Sequence, residues 1–361
     1  MARSRWRILS LYFLLFSLAA CSSPGNSALV VHKIAFLWEY AAGDYVRGAA
    51  AASADMVFIG SDDNALHAVD AITGERLWGY ETRDNVTSTP VIVGAMVCFG
   101  SWDGNVYCLG ADGALRWKYA TGGWVSAPLV ESDGTLWVGS HDAALYALSL
   151  GDGHLLWRYR TAGPIASGVA LDGDTVYVGS TDNYLYALAR LTGALKWRFR
   201  TQGAILSAPI VRDGLVYVAS TDQRVYALDA RNGAVRWSRS VGAAIESSVA
   251  ESGSTLFVGT DAGELVALSA GDGSLRWRFR AEGAIRSGPV VWKDLVLFGS
   301  DDHRIYALDG VSGTLGWLYT VGGPVIGALT LFGDRLYACS TDQPGWTGYP
   351  KQLHAFNLAG S

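Results

Sequence analysis

Apolar residues in this chain come in short runs separated by polar, glycine-rich breaks. Between 204 and 239 the pattern predicts four strands: Ile205 to Val211, Gly214 to Ser220, Arg224 to Asp229 and Ala234 to Ser238. Each run is short and rich in Val, Tyr or Trp. The breaks Arg212-Asp213-Gly214 and Arg231-Asn232-Gly233 carry turn residues, as consecutive antiparallel strands require. The same layout returns along the chain, with one tryptophan marking each fourth strand: Trp38, Trp78, Trp117, Trp157, Trp197, Trp237, Trp277 and Trp317. Their spacing is 39 or 40 residues throughout. Four strands at that period predict one propeller blade per repeat, in an all-β chain.

The ends of the pattern predict how the ring closes. Seven blades carry their own four strands, ending at Trp78 through Trp317. After Trp317 three more strands follow, VIGALTLF, RLYACS and QLHAFNL, with no tryptophan strand behind them. The segment Ile34 to Tyr40 has the opposite deficiency: it holds Trp38 but lacks the strands that should precede it. Joining the two makes an eighth antiparallel, four-stranded blade and removes two exposed sheet edges. The expectation is an eight-bladed β-propeller over 33–358, closed by its N-terminal strand.

The first twenty residues follow other rules. Arg3, Arg5 and Arg7 precede an apolar run from Ile8 to Leu18, which is laid out as an export signal and is too short for a permanent span. Leu18-Ala19-Ala20-Cys21 has the form of a lipobox, with Cys21 as the residue to be lipidated. Residues 21–32 then read as a flexible tether. Losing the three arginines takes the net charge from −5 to −8, and no basic stripe offsets it, so nucleic acid is a poor partner.

Why the repeat recurs can be read from AVDAITGERLW, residues 68–78. Glycine admits positive φ in the turn before the fourth strand, Asp and Thr cap that turn, and Ala is small where blades approach. The Trp offers a broad apolar face and an N–H donor to the neighbouring blade. ALARLTGALKW (187–197), ALDARNGAVRW (227–237) and ALDGVSGTLGW (307–317) repeat the pattern.

In these stretches the chain resembles the tryptophan-docking motif of the pyrroloquinoline-quinone-type eight-bladed propellers. The quinoprotein dehydrogenases of that group hold a quinone and calcium beside a disulfide of adjacent cysteines. This chain has no Cys-Cys pair and no long insertions, so no cofactor, no metal and no catalytic residue are expected. With its lipobox, short tether and unadorned propeller it is instead similar to the BamB family of accessory lipoproteins of outer-membrane β-barrel assembly. The resemblance implies a non-enzymatic scaffold binding envelope proteins, monomeric and held to the membrane by its lipid alone. Ser22 after the cysteine points, by likeness to enterobacterial sorting, to the periplasmic face of the outer membrane.

Candidate sites come from positions where the repeats disagree. Nine residues after each tryptophan, on the first strand, stand Arg47, Thr87, Ser126, Ala166, Leu206, Glu246, Arg286 and Ile326. Arg47, Glu246 and Arg286 are candidates for an axial pocket of a ligand-binding or sensor propeller, with a self-satisfied ion pair of Glu246 and Arg286 as the plainer reading. Trp102 at a hairpin tip, Trp124 before a first strand, and Trp346 and Tyr349 in an insertion over 343–351 are candidate partner anchors. Trp137 and Trp292 belong to the core. The recurring Asp63, Asp103, Asp142, Asp182, Asp222, Asp302 and Asp342 read as turn caps rather than a metal ring. Cys98 and Cys108 flank one hairpin and form either a cross-strand disulfide or two small buried hydrophobes; Cys108 standing where other repeats have Ala favours the second.

Overall fold

Every strand lies in one of eight four-stranded antiparallel sheets in the computed structural model, which describes residues 33–341 and 351–359. Cys21, the expected tether, Asp342, Trp346 and Tyr349 lie outside the described residues. Blades 1 to 7 are formed by consecutive segments: 51–81, 91–120, 130–160, 169–200, 210–240, 250–280 and 290–320. Blade 8 takes its first three strands, Thr330–Phe332, Arg335–Ser340 and Gln352–Asn357, from the C-terminal part of the chain. Its fourth is Ala35–Ala41. The two pair antiparallel from Ala35 opposite Asn357 to Ala41 opposite Gln352. The ring thus closes as the sequence predicts.

The core consists of slabs between neighbouring blades. In one slab Phe58, Leu66 and Ala68 of blade 1 meet Val97, Phe99 and Leu109 of blade 2. The Trp side chains fix these slabs at the rim. Trp38, Trp78, Trp117, Trp157, Trp197, Trp237 and Trp277 each donate Nε1–H to a backbone carbonyl 33 residues ahead, at 2.8 to 3.2 Å. Each ring also lies on the turn glycine of the following blade. A Cβ on Gly233, which has φ +72°, would sit 2.6 Å from the Trp197 ring. The motif therefore joins blade to blade from both of its ends. Trp137 and Trp292 are buried in the slabs.

Two sequence expectations need correction. The first strands are shorter than the apolar runs suggest: blade 5 begins at Ile210, not Ile205. In blades 2, 4, 6 and 7 a serine hydroxyl takes the place of the backbone ladder over the missing residues. Ser88 Oγ accepts from Gly100 N–H at 2.8 Å and donates to Gly100 O at 3.0 Å, and Ser167, Ser247 and Ser287 do the same with Gly179, Gly259 and Gly299. The residues nine after each tryptophan consequently stand on the approach to the inner strand, not on it. The second correction concerns Cys98 and Cys108. They are register partners and are joined by a disulfide, with Cα atoms 4.1 Å apart, while also being fully buried.

Candidate functional site

The approach segments and the hairpins between second and third strands share one end of the ring. The first hairpin residue of every described blade donates its N–H to the approach segment: Asp62 to Tyr45 O, Trp102 to Asn85 O, His141 to Trp124 O, Asp261 to Ala244 O and Asp301 to Ala284 O. This lattice brings each hairpin residue beside the approach residue 15 positions earlier. The eight pairs are unequal, and two kinds of chemistry result.

On blades 2 and 3 the pairs are aromatic. Trp102 donates Nε1–H to Thr87 Oγ1 at 2.7 Å, and its ring stacks on Trp124 with centroids 4.6 Å apart and planes 7° from parallel. His141 lies 5.7 Å from the Trp124 ring and bonds Ser126 Oγ at 2.8 Å. Burial holds His141 below the ordinary imidazole range, so it is neutral near pH 7. The inner tryptophan is thus fixed by a hydrogen bond. The outer one is 48% exposed, a rigid aromatic face presented to solvent at low entropic cost.

On blades 6 and 7 the pairs are charged. Arg286 bonds Asp301 and stands 3.5 Å from Glu246 Oε2 and 3.8 Å from Asp261 Oδ1. Burial raises the Glu246 and Asp301 carboxyls above their ordinary values, and Asp261 reinforces this against the pull of Arg286. Arg47 is elsewhere: it bonds Asp62 at 2.7 Å and stacks over the Tyr45 ring. Of the three axial candidates the structure brings Glu246 and Arg286 together and leaves Arg47 with its own blade. The sequence could not show the controlling offset, because Asp62, Asp261 and Asp301 are inconspicuous until their hairpins fold over the approach segments.

The recurring aspartates are occupied by the fold. Asp103 accepts from Arg83 N–H, Asn105 N–H and the Tyr107 hydroxyl, the last at 2.6 Å. Burial alone would raise its carboxyl, but these hydrogen bonds outweigh it and hold it low. Asp182 and Asp222 bond Tyr186 and Tyr226 in the same way. The tyrosine four residues ahead is the partner the turn-cap reading missed. Among the described residues no group of three or more His, Cys, Asp or Glu side chains is placed to hold a metal ion. The only disulfide among them is buried inside blade 2, away from the axis.

The fold is shared widely. The structure of BamB from Moraxella catarrhalis superposes with a TM-score of 0.76 at 22% identity, covering 90% of this chain and 99% of that one. A computationally designed protein, Ika8, gives 0.76 at 17% identity, covering 90% of this chain and all of the other. The quinohemoprotein alcohol dehydrogenase ADHIIG from Pseudomonas putida HK5 gives 0.77 at 13%, covering 92% of this chain and 77% of that one. Among curated proteins, the outer membrane protein assembly factor BamB of Nitrosomonas eutropha is 25% identical over 93 residues. That is 26% of this chain and 23% of the relative's own length. The family model described as outer membrane protein assembly factor BamB matches residues 35–105, 86–167, 141–247, 223–338 and 284–352, together nearly the whole propeller. On that match, the chain belongs to the BamB family of outer membrane protein assembly factors.

Proposed function

We propose that this chain is a non-enzymatic scaffold of the bacterial envelope that assists assembly of outer-membrane β-barrel proteins, working from the periplasmic face of the outer membrane through lipidated Cys21. Family membership supports the role. The observation that carries the mode of action is the Trp102 and Trp124 stack, with one ring locked and one exposed at an end of the ring. Such a pre-formed aromatic platform buries large area against a partner without ordering cost, which is how interaction anchors gain affinity. A pocket for a free anion is not favoured, because Arg286 is held among three carboxylates and Arg47 by Asp62. Co-purification from solubilised envelopes tests the reading. The chain should recover components of the barrel assembly machinery, and Trp124→Ala should cut that recovery about tenfold or more with an unchanged melting temperature, as expected of an interface anchor. Recovery without any such component would sink the role. Undiminished recovery by Trp124→Ala would remove the platform from it.

A further inference from the structure

The outer strands of the blades are the exposed rim of the ring, and their charge is uneven. One and three residues after the docking tryptophan the outer strands are exposed, except at half-buried Ser238 of blade 5. Blades 2, 3 and 4 place Lys118, Arg158, Arg160, Arg198 and Arg200 there. None of the five has a carboxylate at ion-pair distance among the described residues; Arg158 lies over Tyr146, and Arg198 and Arg200 over Tyr184. In blade 6 the equivalent Arg278 and Arg280 are shared by Glu264, and blade 5 has Ser238 and Ser240. Blades 7, 8 and 1 carry Leu318 and Thr320, Glu39 and Ala41, and Gly79 and Glu81.

Cations on edge strands ordinarily guard against edge-to-edge pairing. That need is the same for all eight blades, so it does not account for cations left without a carboxylate partner at these two positions in three neighbours alone. The chain's net charge is −5, so the cluster also runs against the whole. From this asymmetry we propose that the rim of blades 2 to 4 docks on the phosphate headgroups of an anionic bilayer surface, a contact separate from lipidation. Four of the five cations are arginine, whose planar fork matches phosphate oxygens better than an ammonium does. On the same strands Leu115, Leu155, Leu156 and Leu195 are 41 to 47% exposed and can enter the interface beside the headgroups.

Vesicle co-sedimentation tests this with residues 22–361, so that neither a lipid nor the basic, apolar export signal contributes. Vesicles of phosphatidylcholine with one-third phosphatidylglycerol should bind it, phosphatidylcholine alone should not, and high salt should release it. Each basic residue near an anionic surface contributes about fivefold. Replacing Arg158, Arg160, Arg198 and Arg200 by Gln should therefore weaken binding at least ~50-fold. The control Arg276→Gln/Arg278→Gln/Arg280→Gln should change it less than about threefold, since blade 6 lies outside the docked rim. No binding by the parent, equal loss in the control, or preference for polyglutamate over vesicles would each overturn the proposal. The first and third outcomes need no variant to fold.

Discussion

At the residue scale, a single hydroxyl decides how the inner edge of four blades is held. Ser167 Oγ satisfies both the N–H and the C=O of Gly179 inside the protein, at 3.1 and 3.0 Å. Ser207 stands at the same point of blade 5, but its partner position is Ala219, and its hydroxyl is buried without a hydrogen bond. The two serines should therefore answer the same substitution differently. Ser167→Ala strands a buried donor and acceptor and should cost about 1–3 kcal/mol. Ser207→Ala removes an unsatisfied group and should be neutral or stabilising by up to about 1 kcal/mol. Urea midpoints of the two variants check this, and equal destabilisation would refute the ladder substitution. The pair also shows where sequence reading stops. ILSAPIV has the composition of a strand, and nothing in it announces that a side chain takes over from the backbone. The disulfide was hidden for a similar reason. Cys108 replaces a buried alanine, and being buried did not separate a thiol from a bond.

At the element scale, the closing blade carries a buried histidine at a position that only His67 of blade 1 shares. His354, on the third strand of blade 8, pairs in register with Glu39 of the N-terminal strand and bonds Ser340 at 2.9 Å. Burial pushes its imidazole down to about 4. The Glu39 carboxylate, 3.8 Å away and half exposed, does not reverse this. An unfolded chain takes up the proton below about 6.5, whereas the folded chain resists until about 4. Stability is thus fully present above pH 6.5 and is lost as pH falls toward 4, by an amount on the order of 3 kcal/mol. His354→Gln should flatten that part of the pH profile of the melting temperature, and an unchanged acid slope would show that the loss arises elsewhere. That the N-terminal strand completes blade 8 was legible in the sequence, because Trp38 lacks its blade and QLHAFNL lacks its tryptophan. Its acid sensitivity was not, since a histidine in an alternating strand can face either side. The same limit applied to Arg47, which sequence spacing groups with Glu246 and Arg286 and which the fold gives to Asp62.

At the scale of the whole molecule, everything depends on one seam. The chain passes covalently from the fourth strand of each blade into the next, and Ala35–Ala41 continues in the same way into blade 1. The only link of the ring without a covalent connection is therefore inside blade 8, between that strand and Gln352–Asn357, where a backbone ladder holds it. A repeat array is stabilised by nearest-neighbour interfaces, so moving the break should change which interaction resists opening. Ala35 lies opposite Asn357, so residues 33–42 can be moved behind residue 359 and joined by a short hairpin. The new break falls between blades 8 and 1, where closure rests on side chains: Trp38 and Arg335 donating to Ala71 O at 3.2 and 2.7 Å, and Thr330 to Ala50 O at 2.6 Å. Buried surface around Trp38, Val57, Tyr337 and Leu353 is retained in this permutant. Deleting 33–41 instead exposes it together with the whole edge of Gln352–Asn357. The permutant should fold with the same β content and melt below the parent, because docking without a ladder opens more readily. The deletion should melt lower still and aggregate through its free edge. A permutant that melts at or above the parent would show that docking between blades, rather than the split blade, is what keeps the ring shut.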